Sequence, residues 1–511
     1  MIPHVGIDLG TTFSCMSCID EQGLPAVIKN SYAQDTTPSV IWFDGKLAYV
    51  GKKANDRKLQ INSPIYEFVK RDIGKKAAHR YVVNGYDYGA CGMSAIILKK
   101  LRMEAYYFFK KKGLLSPHDT IQNLVVPAVI TVPAYFGFKE RHETKMAGIA
   151  AGFEVIAIIN EPTAAALTYG FNLAESKKIM VFDLGGGTFD VTILQIGSGE
   201  AKAIASDGAD QLGGKDWDSI IESYLFAEFE RQTDSEIPDD MSWELQKQAL
   251  ESKYQLTENT ETAVYLNASG NNAEITLYRE REQDDYAMYG NGIDLLTDDN
   301  KFYFEERSED LLTLCKAIMH NMLDKAKLTW NDLDEIVLAG GSSRMPMIPK
   351  MLESISGKSV RRNISGYNFD TAVSQGAALY GRNKNRVIDV SSKSIGIEVK
   401  QAGNPVIEHL IKKNTPLPFS ITDTFPAEEN AVLLVYEGES TNPADCILRG
   451  RLELGNSSGK VTVGLAIDIS GVIYATVEVN GAKAELKIKS GDGDIDMSEL
   501  KEKIDLIDIR L

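Results

Sequence analysis

The sequence predicts a large two-lobed α/β domain followed by a smaller all-β sandwich, and three observations predict it. One pattern, a buried strand, Asp-Leu-Gly and a tight hydroxyl-bearing turn, occurs twice, as Val5-Gly6-Ile7-Asp8-Leu9-Gly10-Thr11-Thr12 and as Val181-Phe182-Asp183-Leu184-Gly185-Gly186-Gly187-Thr188. A third glycine turn, Gly340-Gly341-Ser342-Ser343-Arg344, follows the apolar strand Val337-Leu338-Ala339 and precedes a helix-like stretch beginning near Pro346. After Gly381-Arg382-Asn383-Lys384-Asn385 the chain changes to short alternating strands separated by turn residues, as in a sandwich. The expected organisation is a two-lobed domain over 1–384, a linker over 385–393, a β-sandwich over 394–495 and a short C-terminal helix over 496–511.

The 511 residues exceed what one growing core holds, so several compact lobes are expected. A hydrophobic share of 43% and a charged share of 25% are ordinary for a globular chain. With 55 basic against 72 acidic residues the net charge is −17, which repels a phosphate backbone. The short basic runs Lys110 to Lys112 and Arg361-Arg362 read as solvated faces, so no nucleic acid is expected as a partner. Five cysteines are a sparse and odd set, as in a reducing compartment. Cys15 and Cys18 are three apart in an apparent strand and point to opposite faces, which makes them packing residues rather than a redox pair. Met1-Ile2-Pro3-His4 has no signal-like character and no apolar run is long enough to span a membrane. A cytoplasmic protein without membrane contact is the expectation.

Each Asp-Leu-Gly turn joins strands of a hairpin, because the alternating pattern resumes from Phe13 to Ile19 and from Phe189 to Ile196. Glycines let the backbone approach a ligand closely, so peptide N–H groups and threonine hydroxyls of the two turns can surround phosphate oxygens. An aspartate beside each turn is repelled by phosphate unless a cation lies between them. Asp8 and Asp183 therefore imply magnesium, held through its water shell. The third glycine turn suits the nucleoside side, where Arg344 fits either a planar stack on a base or a local salt bridge.

These segments together resemble the ATPase domain of the 70-kDa heat-shock chaperones of the DnaK type, within the actin and hexokinase superfamily. Carrying the resemblance, in family order, are Gly6 to Thr12, Thr37-Pro38-Ser39, Lys70-Arg71, Val132-Pro133-Ala134-Tyr135-Phe136, Ile159-Asn160-Glu161-Pro162-Thr163-Ala164-Ala165-Ala166 and Asp183 to Asp190. It implies an actin-like, two-lobed fold that binds ATP or ADP with Mg2+ and accompanying K+. By the same resemblance Asp8, Glu161, Asp183 and Asp190 surround the metal ions, and Lys70, Glu161, Asp183 and Thr188 carry hydrolysis. A lysine near the γ-phosphate orients the attacking water and offsets departing charge. Glu161, next to Pro162, also suits the start of the following helix. The nucleotide contacts implied are Gly10, Thr11, Thr12, Phe13, Gly185, Gly186, Gly187, Gly214, Lys253, Tyr254, Thr257, Gly340, Gly341, Ser342, Arg344 and Asp370. Leu250 and Tyr254 stand where the family usually has a glutamate and an arginine, with Tyr254 able to stack on the base.

The second domain resembles the family's substrate-binding β-domain through Ser394 to Glu398, Leu410 to Pro418, Phe425 and Val435 to Glu439. Family members hold an extended peptide there by backbone bonds and an apolar pocket. The pocket residues implied are Ile397, Phe425, Ala431 and Leu433. Several departures accompany the match. Phe425 to Gly438 is shorter than usual, Lys400 replaces an apolar arch residue, and only Met497 to Ile509 reads as a helix where the family has a helical lid. The linker keeps two apolar residues, Val387 and Ile388, before Asp389. Ala157 stands where members usually carry an arginine that meets J-domain cochaperones, and Gly137-Phe138 replaces Asn-Asp after Ala-Tyr-Phe. Asp389, Pro133 and Arg141 are retained from the family's interdomain coupling.

The resemblance thus implies an ATP-driven chaperone whose nucleotide state controls its grip on client polypeptides, served by a J-domain cochaperone and a nucleotide exchange factor. The alternative is a nucleotide-dependent scaffold that docks one specific folded partner. A small-molecule kinase of the same superfamily shares the phosphate turns and leaves the sandwich without a role.

Overall fold

The computed structural model describes residues 2–57, 64–75, 81–170, 175–197, 200–238, 241–268, 270–281, 301–360, 367–382, 387–401, 403–427, 430–454, 459–479, 482–486 and 496–510. The run Arg361-Arg362 and the expected boundary between 384 and 385 lie outside these residues.

The repeated sequence pattern becomes a repeated sheet. Val5–Asp8 pairs antiparallel with Phe13–Ile19 and parallel with Val126–Val132, which in turn pairs parallel with Phe153–Asn160. Lys177–Leu184 does the same with Phe189–Gly197 and Glu335–Ala339. Strands central to both sheets are buried on both faces, and their near-continuous apolar runs follow from that. Each sheet anchors one lobe with its own core. Helix Gly89–Lys111 covers the first sheet, and helices Gly214–Thr233 and Ser242–Glu258 with the sheet Glu261–Ala268, Asn271–Tyr278 and Phe302–Tyr303 enlarge the second.

Between the lobes run two helices of small residues, Glu161–Gly170 and Ala372–Arg382. Ala164, Ala165, Ala377 and Ala378 are fully buried, and any Cβ at Gly376 would collide with the main chain of Ala164. This close crossing brings the two hairpin turns face to face.

The C-terminal part is a sandwich of two four-stranded sheets, with Asn404–Ile411, Ile395–Gln401, Val432–Glu437 and Ile447–Glu453 in one. Phe419–Ala427, Gly459–Ile467, Ile473–Val479 and Ala482–Leu486 form the other. Val461, Val463, Leu465 and Ile467 point inward at alternate positions, the period-two pattern of a half-buried strand.

The sandwich is docked on the two lobes that precede it. Val387–Ile388 adds a parallel strand to Glu200–Ala209. Asp389 then accepts hydrogen bonds from Asn160 Nδ2 at 2.6 Å and Asn160 N at 3.2 Å, while Arg141 donates to Asn160 Oδ1 and, at 2.9 Å, to the carbonyl of Phe136. Lys413 pairs with Asp207 at 3.1 Å.

Gly137-Phe138 opens helix Phe138–Ala150, and here the docking is tightest. The Phe138 N–H donates to Glu437 Oε1 at 3.0 Å, and the Phe138 ring is buried in the apolar core of the sandwich. A Cβ at position 137 would lie 2.6 Å from Glu437 Oε1, so glycine makes room for that carboxylate. Arg449 pairs with Glu437, and both are buried.

The C-terminal segment differs from the single helix expected over Met497 to Ile509. The helix spans Met497–Asp505, and Asp508–Arg510 is a strand paired parallel with Leu47–Val50 of the first lobe. Leu500, Ile504 and Ile507 are spaced as on one helical face, so periodicity alone extends the helix too far. No helix among the described residues is long and apolar enough to cross a membrane.

Candidate nucleotide site

The two hairpin turns meet so closely that a Cβ on Gly186 would collide with the Thr12 hydroxyl, and one on Gly187 with the Thr11 side chain. The carbonyls of the second turn are all taken up by donors of the protein. Gly185 O accepts from Gly214 N at 2.9 Å, Gly186 O from Lys215 N at 2.8 Å, and Gly187 O from Arg71 Nη2 at 2.7 Å. In a planar trans peptide the N–H of the next residue points the opposite way. The N–H groups of Gly186 and Gly187 are therefore aimed away from Gly214 and Lys215, an arrangement able to bind an anion. Thr12 Oγ1 is buried and makes no hydrogen bond within the protein. A phosphate oxygen or a bound water would satisfy it.

Acidic groups line the same space. Burial, with Glu161 beside it and Lys70 acting in the opposite sense, pushes the Asp8 carboxyl up to about 7. Burial and then Glu161 hold Asp183 and Asp190 well above the usual carboxylate range. Asp190 accepts the Ala134 N–H at 2.6 Å. Lys70 is buried and ion-paired with Glu161, yet one ammonium does not neutralise four carboxylates. Among the described residues no three His, Cys, Asp or Glu side chains converge closely enough to cage a metal directly. Acids within electrostatic reach of one another but not converging suit a hydrated divalent cation such as Mg2+.

On the nucleoside side, Gly340 has a φ of 75° and packs so closely on Asp183 that a Cβ would lie 2.5 Å from Asp183 Oδ1. Ser342 lies beside Gly214 and is buried. Lys253 pairs with Asp218 at 2.7 Å and donates to Gly214 O at 3.0 Å. Arg344 takes the local salt bridge, 2.7 Å to Asp370, while its guanidinium lies over the Phe369 ring at 5.6 Å. Tyr254 is half exposed, with the Lys253 ammonium 5.8 Å from its ring centroid, and it feels the charges of Asp218, Asp370 and Arg344. Phe13 is exposed beyond the first turn. The Thr257 hydroxyl bonds back to Lys253 O at 2.9 Å, one helical turn earlier.

Sequence reasoning assigned no role to Arg71. Arg71 reaches across the cleft to Gly187 O and to Asp216 at 3.0 Å, and Asp216 in turn accepts the Gly213 N–H at 2.7 Å. Adjacency to Lys70 was the available signal, and it does not reveal a partner 116 residues away.

A family model described as "Hsp70 protein" matches residues 4–505. The chain belongs to the Hsp70 family. Among its relatives, the protein named "Chaperone protein DnaK" of Thermosipho africanus (strain TCF52B) is 34% identical over 507 residues, covering 94% of this chain and 78% of that protein. The protein of the same name from Metamycoplasma hominis is 34% identical over 500 residues, covering 93% and 77%. As an Hsp70, the chain combines an actin-like ATPase unit with a β-sandwich, and it is an ATP-dependent chaperone that hydrolyses ATP. The family binds ATP and ADP, client polypeptides and cochaperones.

The expected peptide-pocket residues are divided. Ile397 and Leu433 are buried within the sandwich core, Phe425 packs partly against that core, and Ala431 is partly exposed.

Proposed function

We propose that ATP is hydrolysed between the facing turns by this chain's own Lys70, Glu161, Asp183 and Thr188. The observation carrying this reading is the buried Lys70–Glu161 pair together with two glycine turns that meet at Thr11, Thr12, Gly186 and Gly187. Lys70 holds the attacking water and offsets charge on the departing phosphoryl group, and Glu161 keeps the ammonium aimed. Thr11, Thr12, Thr188 and the glycines Gly10 and Gly185 to Gly187 position the phosphates. Asp8, Glu161, Asp183 and Asp190 hold Mg2+ through water, with K+ beside it, and the metal supplies charge neutralisation of the phosphates. Ser342, Gly340, Gly341, Gly214, Lys253, Arg344 and Asp370 position the nucleoside, and Tyr254 and Phe13 offer apolar surface to it. Thr257 acts by fixing the turn that carries Lys253.

In this reading residues 1–384 form the ATPase unit, with clients gripped by the sandwich at Phe425 and Ala431 once Ile397 and Leu433 open towards the groove. The chain works in the cytoplasm with a J-domain cochaperone and an exchange factor. Lys70→Ala tests the core of the proposal: ATP binding by calorimetry should persist, while single-turnover hydrolysis falls about 100-fold or more. Unchanged turnover would remove Lys70 from the mechanism.

A further inference from the structure

The terminal segment 496–510 packs with the first nucleotide lobe and not with the sandwich that precedes it in sequence. Asp496 caps its helix, accepting from Ser498 N at 2.9 Å and Glu499 N at 3.1 Å. Leu500, Ile504, Ile507 and Ile509 are buried in the same apolar core as helix Gly89–Lys111 and strand Leu47–Val50. Lys99, on that helix, donates to the carbonyls of Ile504 and Ile507, both at 2.8 Å, and so collects the chain where it leaves the helix. The strand then covers the edge of Leu47–Val50 in register Asp508 to Leu47, Ile509 to Ala48 and Arg510 to Tyr49. An edge strand exposes backbone donors and acceptors until something pairs with it.

We propose that residues 496–510 are a clasp that keeps the β-sandwich docked on the first lobe. The sandwich enters through the strand Val387–Ile388 on the second lobe and leaves into the clasp on the first. Its docking contact on the first lobe is made by Phe138 and Glu437. Tying both ends raises the effective concentration of the sandwich at its docking face, because a doubly tethered body re-docks before it diffuses away. The clasp thus favours the docked form, and segment 496–510 sets the balance between docked and undocked forms. The inference concerns docking and holds whether or not Lys70 performs hydrolysis.

A specific protease site inserted between Gly491 and Asp492 of the full chain tests it, with the uncut protein as reference. Cutting should raise hydrogen exchange at the Phe138 amide, which Glu437 protects, about tenfold or more, whether the clasp stays seated or departs. Ile504→Asp with Ile509→Asp unseats the clasp without a cut and should raise the same exchange while ATP binding, measured separately, shows that the lobes remain folded. Unchanged Phe138 exchange after cutting, or after the amides of 508–510 have opened in the double variant, overturns the proposal.

Discussion

Asp8 carries charge that the cleft alone does not balance. Its carboxyl is pushed up to about 7, by burial first and Glu161 second, so the folded protein binds that proton more tightly than the unfolded chain does. The nucleotide-free protein should therefore gain stability as pH falls from about 7 towards 4 and lose it on the way back up. Asp183 and Asp190 are shifted in the same direction and add to the trend. Asp8→Asn should raise nucleotide-free stability above neutral pH by about 1–3 kcal/mol and flatten the slope, while weakening Mg·ATP binding. Thermal unfolding across pH, with and without Mg·ATP, reads both effects. The aspartates were legible in the sequence because the motif is local: a strand, an acid and a glycine turn stand within eight residues, twice. Arg71 was not, since its partner Gly187 O is a main-chain atom on the opposite lobe, with no side-chain identity to match. Arg344 left two roles open, and the short bond to Asp370 shows the local ion pair.

Elements with a period of two or a repeated motif were read almost to the residue. The paired hairpins end near Ile19 and Gly197, and the strands of the sandwich alternate as their sequence does. The terminal helix was overextended, because apolar spacing does not distinguish a fourth helical turn from a strand that enters the same core. Helix Phe138–Ala150 shows a third case. Gly137-Phe138 is visible as a departure from the family pattern, but its meaning depends on Glu437, some 300 residues later, and on a sandwich core that only the fold assembles. Removing the ring from that core leaves a cavity, so Phe138→Ala should cost about 3 kcal/mol, seen as a lower midpoint in urea unfolding followed by circular dichroism. Gly137→Ala should also lower that midpoint, because the added methyl presses on the buried Glu437 carboxylate, which Arg449 and the Phe138 N–H hold in place.

At the scale of the whole molecule, the cleft and the sandwich are joined by few residues, and each has a recognisable task. Asn160 is the last residue of the strand Phe153–Asn160, next to Glu161, and Asp389 and Arg141 both bond to it. A change of charge at Lys70 and Glu161 is thus one residue away from the contact that seats the linker. Phe138 and Glu437 seat the sandwich itself, on the helix that begins two residues after Phe136. With nucleotide and peptide bound as proposed, this geometry gives a short mechanical path from the cleft to the sandwich, in keeping with a chaperone of the Hsp70 family. Coupling of that kind is a difference in peptide affinity between nucleotide states, and it is reciprocal. The most direct measurement is the dissociation rate of a fluorescent unfolded peptide from the full chain, followed by stopped flow after mixing with Mg·ATP or with Mg·ADP. ATP should speed release by about 5-fold or more relative to ADP, with Lys70→Ala still releasing on ATP binding. Equal release in the two states, or no peptide bound in either, would contradict the account.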